Sequence, residues 1–583
     1  MPTVTQQRTL PISAAHREFT VKIEGQAVSR EYQLLAVNVT TMVNKIGSAR
    51  LVYLDGAAAS SDFPASNTEY FIPGKTIEIL AGSSDDPKTV FKGFIVQHNI
   101  KIRDTSAPQM VIECRHPASK MTLTRQSAYY FDQKDSDIIS DMLARYSINA
   151  DVDATEVTHK QLVQYNVSDW DFLLTRAEAN GRLVLSNDEG IKLLKPSLSA
   201  SEVCNLEFGA TILEMDAQLD ARTQYPAVTS RTWDPAQQAI VTKDAQDPAI
   251  SDPGNLDSHS LADANGMDHL PLQHVAIGEE EAQAWADACW LKSQLARVSG
   301  RAKCEGIATV KSGDMIRLSG VGERYNGKVF VTGVRHDFDT VQGWKTHVQF
   351  GNTERWFAED TELQSAKASA LVAGVNGLQI GVVVSNEDPD DEDRVRVRMP
   401  LVNNDEDGTW ARVASLDAGN ERGFFFRPEV GDEVVLGFLN DDPRHAVILG
   451  MLHSSANPAP LKGSDDNHEK LYQSREKLKL YFNDDKKIAS LETPAGNVLT
   501  LSEDDQAITL QDQNGNKIEM TSDGIKIESC QALELKAATE IKMESGTACN
   551  VKGGTELKLT GSVSSELSSS ATTKVKGSLV MIN

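Results

Sequence analysis

The stretch GIKIESCQALELKAATEIKMESGTACNVKGGTELKL, residues 524 to 559, decides the architecture of this chain, and its rhythm persists to the last residues given. Stepping by eight from Ile525, the residues at i and i+2 are Ile525/Ile527, Leu533/Leu535, Ile541/Met543, Cys549/Val551, Leu557/Leu559, Ser565/Leu567, Thr573/Val575 and Met581/Asn583. Nearly every pair is apolar or small, and the residues between are mostly Lys, Glu, Ser, Thr, Ala and Gly. An eight-residue period fits neither the 3.6-residue helix nor the heptad of a coiled coil. Spacing of i and i+2 places two side chains on one face of a strand, so each octad reads as a short strand and a corner. One such strand buries too little to fold alone. A three-walled prism made from three copies, with the apolar pairs on its axis, satisfies all of them and leaves no long free edge. At about 4.8 Å per stacked strand, eight octads predict a shaft roughly 40 Å long. The expected core of this needle is Ile525, Ile527, Leu533, Leu535, Ile541, Met543, Val551, Leu557, Leu559, Leu567 and Val575. The serine-rich GSVSSELSSSATTKVKG is its weakest part, where composition alone would fit a disordered tail.

Working back from the needle, Gly377 to about Pro458 is β-rich, with RVRVRMP alternating strictly and EVGDEVVLGFL and HAVILGML following. Five short strands in about 80 residues suit a small barrel of the oligonucleotide/oligosaccharide-binding type. Gly431, Asp432 and Pro443 are its expected turn residues. Residues 15 to 120 also alternate in hydropathy with turn breaks, as in REFTVKIEG and FKGFIVQHNIKIR, and predict a first β-barrel. A helical insert follows. DQKDSDIISDMLARY has Ile138, Ile139, Met142 and Leu143 at helical spacing, and SDWDFLLTRAEANG sets Ser168 and Asp171 at capping-box spacing before Gly181. After a polar stretch from Asp244 to Pro271 that reads as an exposed loop comes a long helix, EEEAQAWADACWLKSQLARVSG, with Trp285, Cys289 and Ala296 on one face.

An internal echo links two parts of this region. GKTIEIL (74 to 80) with FKGFIVQH (91 to 98) has a counterpart in GDMIRLS (313 to 319) with VFVTGVRH (329 to 336). A duplicated barrel is the sharper explanation. Three such chains would set six similar barrels in a ring, matching a threefold object to a sixfold tube. The expected division is a first hub barrel over 1–120, an α/β insert over 121–200, a second hub barrel with its loop and helix over 201–355, a short helix and linker over 356–376, the small barrel over 377–460, a linker over 461–477 and the needle over 478–583.

Composition excludes several classes. The formal charge of −25 disfavours nucleic acid as a partner. The amino terminus shows no apolar core of signal-peptide length, and no stretch offers about 18 uncharged apolar residues, so synthesis in the bacterial cytoplasm without a leader is expected. The six cysteines form no C-x-x-C pair and read as inert thiols. None of H-E-x-x-H, G-x-S-x-G and the P-loop occurs, so no catalytic residue, metal site or cofactor is expected, and the chain reads as not an enzyme. The acidic runs Asp388 to Asp393 and Asp405 to Asp407 lack calcium-loop order and read as solvated turns. His259, His269 and His274 share a polar loop at irregular spacing, which disfavours a metal site.

The order of parts resembles the valine-glycine-repeat (VgrG) spike of type VI secretion and the hub-and-needle proteins of contractile phage tails and extracellular injection particles. The matching segments are QYNVSDWDFLLTRAEANGRLVL (164 to 185), NGKVFVTGVRHDF (326 to 338), DPDDEDRVRVRMP (388 to 400) and WARVASLDAGNERGFFFRPEVGDEVVLGFLNDDPRHAVILGMLH (410 to 453). One departure is Asn440-Asp441-Asp442-Pro443, where the family more often has a Gly-Asp-Pro turn; Asn and Asp tolerate left-handed geometry. The resemblance implies a homotrimer seated on a hexameric inner tube and baseplate proteins, with a needle capped by a separate PAAR-type tip protein. No His-x-His pair of the kind some phage spikes use to bind iron is present, so tip docking is expected around Val580, Met581 and Ile582. The implied function is mechanical: to join tube to needle at the tip of a contractile particle, cross a target membrane on firing, and carry the tip protein or effectors as separate chains. The alternative is a phage-tail spike or adhesin that binds or cleaves surface polysaccharide. The absence of Trp, Tyr and Phe after residue 524 weighs against it.

Overall fold

The computed structural model describes residues 17–582 apart from 84, 197–198, 249, 251–252, 265, 275–276, 353–354, 360–362, 364–365 and 406. The first sixteen residues, Asn583 of the last octad pair and Glu406 of the second acidic run therefore lie outside the described residues. The chain divides into two compact units, Met1–Gly374 and Val375–Asn583.

The first unit is built on one thirteen-stranded sheet. Its first lobe pairs the strands Arg17–Ile23, Leu34–Met42, Ser48–Leu54, Thr76–Ser83, Asp86–Lys101 and Gln109–Arg115. Their alternate residues, including Val37, Val39, Leu51, Ile79, Ile95 and Ile112, close over Tyr53 and Phe71 in one core. The second lobe pairs Ile212–Leu219, Val298–Glu305, Met315–Ser319, Gly327–Asp339 and Gly343–Phe350 around Ile316, Val331, Val348 and Phe350. Between them, Gly327–Asp339 runs antiparallel to Leu34–Met42, from Gly333 opposite Met42 to Asp339 opposite Ala36. The two lobes, expected from the echo as separate hub barrels, thus share one continuous sheet, because pairing their edge strands removes two rows of open backbone donors and acceptors.

The echo has a structural basis in its turns. In Ile72-Pro73-Gly74-Lys75, the Lys75 amide donates to the Ile72 carbonyl at 3.2 Å; in Lys311-Ser312-Gly313-Asp314, Asp314 does the same to Lys311 at 3.2 Å. Gly74 and Gly313 then donate to Ile95 and Val331, and those residues donate back to Lys75 and Asp314, all within 2.9 Å. The small barrel repeats the device, with Gly431 donating to Val383 and Val383 to Asp432. The three glycines have φ of 101°, 95° and 95°, a conformation disfavoured for other residues. Each turn delivers its following strand to a fully or almost fully buried Ile or Val.

The insert carries α1 (Asp135–Arg145) and α2 (Asp169–Ala179) against the strands Ala150–Val152, Leu183–Asn187 and Gly190–Leu194. Ser168 caps α2, its Oγ accepting from the Asp171 amide at 3.1 Å, and Gly181 follows at φ 62°. Asp135 is buried under α2, where His159, Arg176 and Asn180 all donate to it within 2.9 Å. Burial alone would raise its pKa, but those three donors outweigh it and hold the carboxyl at about 2. Arg176 also reaches Glu281 on α4 (Glu279–Ala296), tying insert to second lobe.

Three sequence expectations need correction here. The loop from Asp244 to Pro271 contains α3 (Ser258–Asp263) and enters the strand Leu270–His274, which pairs with Val228–Asp234. Arg297 pins this segment, its guanidinium donating to the carbonyls of Pro253 and Leu256. On α4 the buried aromatic is Trp290 with Ala286 and Cys289, while Trp285 stays half-exposed against His274. Finally, the described part of 356–376 holds only short 3-10 turns, Phe357–Glu359 and Lys367–Ala370, in place of a helix.

The three turns make a graded prediction. A Cβ at Gly74 or Gly431 meets nothing within 4 Å, whereas one at Gly313 falls 2.7 Å from Leu185 Cδ1. Gly74→Ala and Gly431→Ala should each cost about 1 kcal/mol from backbone strain. Gly313→Ala should cost distinctly more, as read from denaturant melts of the full chain.

Candidate assembly surface

The second unit opens with a closed barrel formed by Gln379–Ser385, Arg394–Arg398, Thr409–Val413, Ala446–Met451 and Glu433–Phe438, in that order round the cylinder. Val383, Val395, Val397, Val434, Leu436 and Ile448 fill it. In its connecting turn, Asn440 and Asp441 take φ of 54° and 56°. Asp442, immediately before Pro443, receives the Arg444 amide and guanidinium, which hold its pKa at about 2. The acidic run Asp388–Asp393 faces arginine: Arg394 donates to Asp388 at 2.7 Å and to Asp390 at 2.6 Å, and Arg427 pairs with Asp393. Those hydrogen bonds from Arg394 hold the Asp388 carboxyl well below the usual carboxylate range. The Phe424-Phe425-Phe426 run, whose role the sequence did not single out, remains exposed on the barrel. Phe426 meets Tyr472 edge-on at 4.9 Å, and Arg475 pairs with Glu429, so the next sheet is joined to the barrel wall.

That sheet is a meander of seven antiparallel five-residue strands from Glu469–Gln473 to Gly524–Glu528. Within the segment expected as needle, residues 479–528 therefore close their backbone hydrogen bonds inside one chain, and the octad rhythm takes over at Ile525. The meander has its own period. Gly496 and Gly515, nineteen residues apart, each donate to a carbonyl three residues back (Thr493 and Asp512), and Thr493 and Asp512 donate forward to Asn497 and Asn516. The signal in the sequence was Ala495-Gly496-Asn497 echoed by Asn514-Gly515-Asn516.

Strand register converts this repeat into two ladders on one face. Leu480, Leu491, Leu499, Leu510, Ile518 and Ile527 stand opposite one another in turn across successive strands. Beside them run Phe482, Ala489, Leu501, Ile508, Met520 and Ile525. Cross-strand apolar pairs of this kind ordinarily back onto a second layer. Here they do not: Leu491 is 54 % exposed and Leu510 51 % exposed. The opposite face carries Tyr481, Ser490, Thr500 and Thr509 in sequence across the strands, with Ser490 buried.

Both ladders end on Ile525 and Ile527, the first octad pair. From Ser529 to Ile582 no strand pairing occurs within the chain, and the apolar octad residues are solvent-facing, Leu533, Leu535, Ile541, Met543, Val551, Leu557, Leu559, Leu567 and Val575 among them. Val580, Met581 and Ile582 are exposed too. The structure thus brings the expected needle residues into continuity with a wide apolar stripe, which sequence reading began only at Ile525. No group of three His, Cys, Asp or Glu side chains among the described residues is placed to hold a metal ion. Nor is any helix among them long and apolar enough to cross a membrane.

Three family models match successive parts of the chain. Residues 13–340, more than half the chain, match the family model of the Alg8 N-terminal domain. Residues 379–453 match the type VI secretion system/phage-baseplate injector OB domain, and 489–583 the phage baseplate V C-terminal trimerisation domain. The Vibrio cholerae type VI secretion system spike protein VgrG3 is 35% identical over 94 residues, 15% of this chain and 9% of its own. The Pseudomonas aeruginosa spike protein VgrG1b is 26% identical over 218 residues, 35% of this chain and 28% of its own. The chain thus spans less than a third of the length of these curated relatives. Among solved structures, an Escherichia coli component of the type VI secretion system is 11% identical with a TM-score of 0.37, covering 74% of this chain and 99% of its own.

The Arg394–Asp388 pair supplies a pH test. Asp388 is held below its unfolded value, so its contribution is present above about pH 4 and is lost as pH falls through the lowered value. Arg394→Ala should destabilise the barrel at neutral pH, and the gap from the parent should narrow below about pH 4, as followed by melting at stepped pH.

Proposed function

Since the chain belongs to the VgrG-like spikes of contractile injection systems, carrying the Alg8 N-terminal domain ahead of the injector OB and trimerisation domains, we propose that three copies assemble into the hub and needle that such a machine fires. The observation that carries this reading is the pair of apolar ladders from Leu480 and Phe482 to Ile527 and Ile525, open along one face and continued by the octads. Water penalises such a stripe by about 25 cal/mol for each Å² left exposed. Three identical stripes facing a common axis remove it at once, and the octads beyond Ser529 gain backbone partners from the other two copies.

The hub supports the other end of the device. Each chain has two lobes with matching turns at Gly74 and Gly313, so three chains offer six comparable lobes to a hexameric inner tube held in a baseplate. Force from a contracting sheath then passes through the small barrel and the meander into a shaft whose octads close their backbone bonds across chains. Such a shaft resists fraying as it crosses a target membrane. Val580, Met581 and Ile582 form the docking surface for a conical PAAR-type tip protein, and effectors travel as separate chains. The work is mechanical, with no catalytic step assigned to this chain, and assembly at the particle tip precedes export on firing.

Leu499 and Leu510 stand opposite each other in the middle of one ladder. Leu499→Glu with Leu510→Glu places six charges on the trimer axis and should convert a particle of three times the chain mass to monomer in light scattering. The hub's melting transition should stay unchanged. A parent chain that already scatters as a monomer overturns the proposal.

A further inference from the structure

The outward positions of the octads carry a second pattern, independent of the apolar pairs. Counting from the first inward residue i, the i+1 column reads Lys526, Glu534 and Lys542, then, after neutral Asn550, Lys558, Glu566 and Lys574. The i+3 column reads Glu528, Lys536, Glu544 and Lys552, with Thr560 and Ser568 before Lys576. In neither column do two consecutive residues carry the same sign. Within each of the first three octads the two columns are also opposed, and Lys526–Glu528 and Lys542–Glu544 form ion pairs at 2.6 and 2.8 Å; in the octad from Thr573, Lys574 and Lys576 share a sign.

This checkerboard bears on a choice that the apolar pairs leave open. Every octad offers a similar pair to the axis, so an apolar core accepts one chain against another in any octad register. The charges do not. Octad laid on the same octad of a neighbouring copy sets Lys526 on Lys526, and a shift of two octads sets Lys526 on Lys542. A shift of one octad sets Lys526 beside Glu534 and Glu528 beside Lys536, at the roughly 4.8 Å spacing of stacked strands. Like charges directly opposite on neighbouring strands are destabilising, and opposite charges are favourable.

The same arrangement is visible where it closes inside one chain. The last meander strand lies against its neighbour with Lys517 opposite Glu528 and Glu519 opposite Lys526, flanking Ile518 opposite Ile527. There the fold has already chosen the complementary register.

Resting on the trimer proposed above, we infer that the outward Lys/Glu columns fix the stagger between copies at one octad. Octad n of one chain lies against octad n+1 of the next. This stagger is also what a prism requires if each chain steps to the next wall with every octad, since threefold symmetry then stacks successive octads of different copies on each wall. The surface is thus a register code, and its partner is a second copy of this chain.

The test exchanges charges within an octad, keeping net charge and the pairing inside each strand. Swap one is Glu534→Lys with Lys536→Glu; swap two is Lys542→Glu with Glu544→Lys. Under the one-octad stagger, swap one sets like charges against both neighbouring octads and lowers the temperature at which the full-length trimer dissociates. Adding swap two restores complementarity between these octads, so the combined variant loses no more than swap one alone, and both losses shrink in high salt. A trimer whose dissociation is unmoved by swap one, or in which the two losses simply add, overturns the inferred stagger while leaving the trimer standing. A parent chain of monomer mass overturns the trimer itself and the stagger with it.

Discussion

An extended chain must place its backbone N–H and C=O groups somewhere, and when its own fold supplies no partner the partner has to be another molecule. That constraint governs the last fifth or so of this protein, from Glu469 on. Up to Glu528 the meander satisfies it internally, strand by strand, with two glycine turns nineteen residues apart on one side. Beyond Ser529 the strands stop pairing while the apolar rhythm continues. The two apolar ladders show why the change can happen without a break in the surface: the stripe is already turned outward before the intrachain bonding ends.

Two lobes share one sheet through the pairing of Leu34–Met42 with Gly327–Asp339, so the hub has few open edges and a rigid connection between its halves. The same glycine turn starts a strand in each lobe and again in the small barrel. In the insert the buried Asp135 is satisfied by three donors from neighbouring elements, which removes most of the cost of burying a carboxylate.

Much of this was legible in the sequence because single residues carried unambiguous demands. Ser168 three residues before Asp171 announced the cap of α2, and Gly74 and Gly313 announced matching turns. Other features were hidden for physical reasons. The nineteen-residue spacing of the meander's turns is not a multiple of eight, and the more covered face is the one opposite the apolar ladders, with Tyr481, Ser490, Thr500 and Thr509, so hydropathy and burial run out of step there. In α4 the carboxyl-terminal half is surrounded, with Lys292 and Gln294 buried beside Leu291 and Leu295, and a helix buried all round has no face to read. The loop from Asp244 to Pro271 looked solvated because nothing local betrays that Arg297, far along the chain, holds it.

The central claim is that the octads are paired, and paired only between chains. Amide hydrogen exchange on the assembled full-length protein tests it most directly, resolved over residues 529 to 582. Slow exchange there, comparable with the meander strands and lost on dilution to monomer, is the predicted result. Exchange at the rate of an unstructured peptide in the assembled particle would contradict it.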